Sequence, residues 1–253
     1  MEIVAYRLGC LIDVPVPPAY AALSRKYQTG EDTYGALIEW FYDERQDDYI
    51  EGGQLMAQLI ENYDRKKGAQ HNFESISKII ASTSEFIKHW AGVFTLDCLI
   101  GNTDRHQDNW GWILKGAKQN PKDYKLSYSP AFDNGTALGY EIREKDFVKY
   151  QDVNKLSRYL TRPKLARHHM KWSLDEREPI NFYEFIGKFV VQFPEAKLIM
   201  KEHLNFSREQ AEEILKSLPE MVSDGKYRLT RERLDFMLCL IFKRKELLEQ
   251  TLK

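Results

Sequence analysis

Long apolar runs are scarce in this sequence of 253 residues. The longest, Phe236 to Phe242, falls far short of the ~20 residues that span a bilayer, so the pattern points away from a membrane protein. Cysteine is nearly absent. Cys10, Cys98 and Cys239 sit singly in apolar, helix-like segments, which reads as reduced core thiols in a cytoplasmic protein and excludes a disulfide framework or a cysteine zinc site. An excess of one charge is missing too. With 37 basic and 38 acidic side chains the net charge is −1, so no overall positive field points to nucleic acid as a partner. There is no Gly-x-Gly-x-x-Gly, no repeat, no low-complexity tract, and no leader-like pattern after Met1. Without such a leader, the glycosylation sequons at Asn134 and Asn205 carry little meaning.

What is present suits one large domain or two closely packed lobes: 43% of residues are hydrophobic and 13% aromatic. Residues 2–12 read as an amphipathic helix that Pro15, Pro17 and Pro18 stop. Strand-like runs at 19–23 and 36–41, joined by the polar linker 29–33, predict a hairpin. Helices are expected at 51–63 and 71–80. Ser82 and Glu85 form a capping-box pattern before the next helix. That helix sets Ile87, Trp90, Ala91, Phe94 and Cys98 in one apolar stripe and ends at Gly101. A second short hairpin is predicted from 110–114 and 124–127. Helices follow at 151–160, at 180–192, after the Ser207/Gln210 capping box, and from Thr230 to about Leu252. The fold class is mainly α with small β-hairpins, an α+β arrangement.

The densest chemistry lies in GNTDRHQDNWGWIL, residues 101–114. An aspartate five residues before an asparagine can divide labour: Asp104 can orient a hydroxyl nucleophile and take its proton, while the Asn109 amide oxygen ligates magnesium. Asp133, in SPAFDNGTALG, is the natural second metal ligand, since the intervening hairpin returns it toward Asn109. The order Asp, Asn, Asp is the layout of kinase-type phosphoryl transfer. Plainer readings stand beside this one. Asp133-Asn134-Gly135 also suits a simple hairpin turn. The calcium-loop pattern fails for want of glycine at its sixth place. His106 serves equally as a loop brace. Asp97 reads as a buried carboxylate bracing backbone amides, Asp108 as exposed or as a supporting metal ligand, and Trp110 and Trp112 as core. The basic segment 158–172 reads as a solvated face or a docking surface, and adjacent His168 and His169 lack the i, i+4 spacing of a helical metal site.

GNTDRHQDNWG followed by LSYSPAFDNGTALG resembles the signature of HipA-like kinases, bacterial serine/threonine protein kinases distantly similar to phosphatidylinositol kinases. EIVAYRLGCLIDVPVPPAYAAL and YGALIEWFYD resemble that family's helix, following strand and hinge. The resemblance implies ATP and Mg2+ as cofactors. It makes Asp104 the catalytic aspartate, with His106 near the phosphates and Asn109 and Asp133 on the metal. Glu39, Trp40 and Phe41 would take the adenine, or form a plain edge strand. Glu2 matches a glutamate that pairs with the ATP-binding lysine. The family's phosphate-covering loop and lysine precede the helix found here at residue 2. The implied architecture is therefore a protein-kinase-like C-terminal lobe at 51–253, with catalytic loop 101–109 and metal-binding segment 130–136, and a truncated or missing N-terminal ATP lobe of which 1–50 is the remnant. A catalytically impaired pseudokinase is the alternative. Implied partners are a protein substrate, of the translation-related kind, and an antitoxin or regulatory protein.

Overall fold

The computed structural model describes residues 1–25, 30, 32–79, 83–222, 225 and 228–253. Helix α1 (Glu2–Leu11) leads into a two-stranded antiparallel hairpin, β1 (Ala19–Arg25) and β2 (Asp32–Ile38), with Ala19 opposite Ile38 and Arg25 opposite Asp32. Strand β2 begins earlier than the pattern predicts and stops before Glu39, because the ladder zips through Asp32 and Thr33. Those two belong to the predicted linker, of which Thr29 and Glu31 lie outside the described residues.

A second sheet has the order β3-β4-β5, all antiparallel, from β3 (Asp48–Glu51), β4 (Gly111–Lys115) and β5 (Lys125–Tyr128). The second hairpin was legible; β3 was not. Glu51, expected to open a helix, instead ends this strand opposite Gly111 and caps α2 (Gly52–Leu59). Gly52 is required at that junction, since a Cβ would lie 2.2 Å from the Trp110 ring. Helix α2 stops at Leu59, short of the predicted Tyr63, and α3 spans Phe73–Ile79.

Helix α4 (Ser84–Ile100) forms the centre. Its cap is Thr83, whose hydroxyl accepts from the Phe86 N–H at 3.2 Å, rather than the predicted Ser82, which lies outside the described residues. The expected stripe is buried, yet burial extends all round: every residue from Trp90 to Ile100 is inside. Three later helices pack against it, α6 (Phe182–Gln192), α7 (Ala196–His203) and α9 (Arg231–Thr251), while α8 (Arg208–Leu215) packs on α1 and α9. Phe73, Phe86, Trp90, Phe94, Phe185 and Phe189 meet edge-to-face within this core. Burying each such ring stabilises by roughly 1.5–3 kcal/mol. The Ser207/Gln210 capping box and the Thr230 cap form as predicted. Helix α5 (Val153–Thr161) packs with a 3-10 segment, Glu144–Tyr150, against α9. Among the described residues no helix is long and apolar enough to cross a membrane. All three cysteines are free, but only Cys98 is fully buried; Cys10 is exposed, contrary to its core reading, because it lies on the outer side of α1.

Candidate active site

The end of α4 creates the site. Gly101 adopts a left-handed conformation (φ 66°) that closes the helix, and its N–H returns to Asp97 O. A Cβ there would sit 2.2 Å from the Arg244 guanidinium, which α9 sends in to meet the Ile100 carbonyl at 3.2 Å. A cation thus satisfies a helix C-terminus. The chain then turns on buried Asn102, whose Oδ1 accepts from the Asp104 N–H (2.9 Å) and whose Nδ2 reaches Asp133 O (3.5 Å).

Arg105 folds back under the loop and is 1% exposed. Its guanidinium grips both oxygens of buried Asp97, at 3.1 and 2.7 Å. It also donates to Asn134 Oδ1 (2.8 Å), Asn109 O (3.2 Å) and Phe132 O. One side chain therefore ties α4, the loop's end and the 132–134 segment together. Asp97 does brace the loop as expected, but through Arg105 rather than through backbone amides. Burial pushes its carboxyl up while Arg105 pulls it down.

Three oxygen acceptors sit on this platform. The Asp104 carboxylate and the Asp133 carboxylate have no hydrogen-bond or ion-pair partner among the described residues. Asn109 donates through Nδ2 to Asp104 O (2.9 Å), and its Oδ1 has no donor among the described residues. The Asn102 and Asn109 bonds link the 104, 109 and 133 segments into one network. Asp133 is exposed, and its backbone is held at φ 57°. The β4–β5 ladder runs on through Ser129 N–H to Gly111 O at 2.9 Å, which delivers residues 130–133 beside the loop. Hard oxygens of this kind suit magnesium, which takes a few protein ligands and completes its shell with phosphate and water. Among the described residues no three His, Cys, Asp or Glu side chains converge as a metal set.

The neighbours differ. His106 Nδ1 accepts from the Asp108 N–H (3.2 Å), which is the bracing arrangement. Asp108 is bound at 3.1 Å to Arg65, which also grips Glu51, so it is an ion-pair member and not a free metal ligand. Glu39 N–H extends the first hairpin to Pro18 O (2.8 Å), and Trp40 is exposed. Phe41 stacks on Phe132 at 5.0 Å, directly beside Asp133. Glu2 accepts from the Asn134 N–H at 2.7 Å; burial raises its carboxyl pKa, Asn134 opposes, and the charge on Asp133 raises it further. Glu2 makes no ion pair among the described residues.

The segment 158–172 is not simply a solvated face. Arg158, Arg162 and Lys164 are exposed, but His168 is buried 4.0 Å from Asp97, with its pKa pushed down to about 3 by burial and by Arg105. His169 stands 6.0 Å, ring to ring, from His106, and burial lowers its pKa. His71, also buried, accepts from the Trp110 indole N–H at 3.0 Å. Arg105, Asn102, Asn134 and Arg65 were missed as site-forming residues. The available signal was Asp97 itself, a carboxylate on a buried stripe that needed a cation nearby.

No protein-family model matches the chain, and no curated protein matches it. Among solved structures, the Helicobacter pylori proinflammatory kinase CtkA aligns with a TM-score of 0.72 and 16% identity, covering 99% of this chain and 85% of that one. HipA from Shewanella oneidensis MR-1, solved with HipB and operator DNA, aligns at a TM-score of 0.48 and 10% identity over 98% of this chain and 55% of its own, which is too loose to carry weight. The chain shares the fold of the Helicobacter pylori kinase CtkA.

Proposed function

We propose that this chain is a Mg2+-dependent kinase that transfers the γ-phosphoryl group of ATP to a Ser or Thr hydroxyl of a protein. Asp104 orients the acceptor hydroxyl and receives its proton as the oxygen bonds to the γ-phosphorus and the bridge to the β-phosphate breaks. Asn109 Oδ1 and the Asp133 carboxylate hold magnesium, which when bound offsets charge on the phosphates. His106 sits beside the phosphates with its Nδ1 already engaged. Residues 1–50 form the nucleotide side, with Glu39, Trp40 and Phe41 against the adenine, and 51–253 the helical lobe. A translation-related protein substrate and a regulatory partner of the antitoxin kind belong to the same proposal. The observation that carries it is the set of three acceptors without donors among the described residues, Asp104 and Asn109 Oδ1 on the loop and Asp133 on the segment that Asn102 ties to it. The test is transfer from γ-labelled ATP to protein. Asp104→Ala is expected to lower it by about 10²–10⁴-fold with the melting temperature unchanged; equal incorporation by both proteins removes Asp104 from this role.

One observation favours a second reading, a pseudokinase that binds nucleotide without turnover. Glu2, matched to the partner of an ATP-binding lysine, spends its carboxylate on Asn134 and has no lysine among the described residues. Mg·ATP at 100 times its dissociation constant should stabilise either version by about 2.7 kcal/mol. Stabilisation without transfer selects the pseudokinase, and Asp133→Ala should abolish it in both.

A further inference from the structure

Strand β5 is an outer strand of the second sheet, and it borders a cavity of roughly 310 Å³. Every residue from Lys125 to Ser129 lines that cavity, across from the first half of α4. The α4 wall stands roughly 12–24 Å along the helix axis from Gly101, at about 1.5 Å per residue. None of the residues assigned to phosphoryl transfer reaches it.

The ladder decides which backbone groups of β5 are unpaired. Ser129 N–H donates to Gly111 O, so Gly111/Ser129 and Ile113/Ser127 are the hydrogen-bonded pairs of an antiparallel ladder. On the other side of β4, Gly52 N–H donates to Trp110 O, so Trp112 and Leu114 spend their backbone groups on β3. Leu126 and Tyr128 therefore turn their N–H and C=O groups away from β4, and these have no partner among the described residues. Downstream the chain closes its own edge, because Ala131 N–H donates to Pro15 O at 2.8 Å. The open stretch is one short strand long.

The cavity beside it is apolar within and charged at its rim. Val14, Val93 and Leu126 wall it, and the His89 ring stacks on Tyr128 at 4.3 Å to make a flat side. Asp13, Glu85, Lys88 and Lys125 are exposed around it, two of each sign, and none makes an ion pair among the described residues.

We infer that this edge takes an extended segment of a partner protein as an added strand, with a large apolar side chain of that segment in the cavity. Alternating N–H and C=O groups are complemented by another backbone, which a nucleic acid does not offer. Rim charges that cancel give no field to draw a polyanion or an anionic lipid surface, and they suit a segment with an apolar centre and charges of both signs at its ends. A second copy of β5 fits poorly, since its Leu126 and Tyr128 already line its own cavity. The inference stands apart from the role proposed for Asp104.

The test uses the full chain without ATP and a labelled peptide of alternating leucine and threonine, flanked by one arginine and one glutamate. In fluorescence anisotropy, replacing the leucines by alanine is expected to weaken binding about tenfold. N-methylation of the leucines blocks antiparallel addition to β5, and N-methylation of the threonines blocks parallel addition. One of the two methylated peptides should therefore bind about tenfold more weakly while the other matches the parent, and the weaker one gives the strand direction. Amide exchange followed by NMR should slow about tenfold at Leu126 and Tyr128 when the parent peptide is bound, and stay unchanged at Ser127, whose N–H already faces β4. No saturable binding, equal binding of both methylated peptides, unchanged exchange at Leu126 and Tyr128, or displacement by a single-stranded oligonucleotide overturns the inference. So does a dimer of the chain in sedimentation that the peptide dissociates, which makes a second copy the occupant. Since neither readout needs turnover, absence of phosphoryl transfer and absence of peptide binding are distinguishable failures.

Discussion

Loop 101–109 hides its polar side chains, whereas the β1–β2 hairpin exposes its apolar ones. In the loop, Asn102, Arg105, Gln107 and Asn109 are buried, and nearly every donor among them finds an acceptor. Among the described residues of the hairpin only Ala19 is buried, while Tyr20, Leu23 and Leu37 lie in the open, Leu37 at 62% exposure. A two-stranded hairpin with both faces wet is marginal on its own. A buried polar network is the opposite case: complete, it fixes one geometry, and broken, it strands charges in a medium that cannot solvate them. Positional accuracy for Asp104, Asn109 and Asp133 therefore comes from hydrogen bonds beneath them. The hairpin contributes little to it.

The sharpest way to break the contrast is Arg105→Ala. It leaves buried Asp97 without its cation and strips donors from Asn134, Asn109 O and Phe132 O. Loss of one partner from a buried pair costs about 3–5 kcal/mol. For a chain of this size that lowers the melting temperature by roughly 10 °C. Arg105→Lys should recover little, because a single ammonium cannot reproduce five donors in a planar fork. Calorimetric melting of the three proteins checks this; a drop under a few degrees for the alanine variant would mean that the network is not what holds the loop.

Arg105 also marks where the sequence stopped being readable. Helix α4 was plain, since apolar residues at 87, 90, 91, 94 and 98 followed by Gly101 leave few alternatives. The β4–β5 hairpin was plain for the same reason, alternation bounded by a polar loop. Strand β3 was not, because Asp48–Glu51 is short and polar and becomes a strand only by pairing with β4, some sixty residues later. Arg105 sits in a run of polar residues that reads as solvated. Its burial depends on Asp97 one helix end away and on Asn134 from another segment, and neither dependence is local. The candidate acceptors Asp104, Asn109 and Asp133 could be named from residue type and spacing. The inward ones that position them, Asn102, Arg105 and Asn134, could not, since asparagine and arginine in loops are ordinarily surface residues.

A second test acts on the same buried network through pH. His168 packs between Phe94, Phe182 and Phe185, and its pKa in the folded chain is about 3. The unfolded chain takes up that proton near pH 6.5. The folded pKa is depressed, so this contribution is complete above about pH 6.5 and shrinks as pH falls toward 3, by about 1.4 kcal/mol per unit. Between pH 7 and pH 5 the wild type should lose about 2 kcal/mol more than His168→Phe, whose ring suits the same aromatic nest and cannot titrate. Urea midpoints at the two values decide it; parallel losses would mean that His168 is not held neutral.

The smallest effect is expected in the hairpin, and it tests the other half of the contrast. Leu37→Ser replaces a side chain that is mostly in water and opposite Tyr20. Exposed substitutions away from caps, cores and strained turns usually shift stability by less than about 0.5 kcal/mol. Denaturant melting should place this variant within that margin of the wild type, against several kcal/mol for Arg105→Ala. A loss above about 1 kcal/mol would show that the apolar surface of β1–β2 is already covered in solution, by a second copy of the chain or by a segment packed over it. The hairpin would then be held by burial as the core is, and the division drawn here between a locked loop and an open hairpin would not stand.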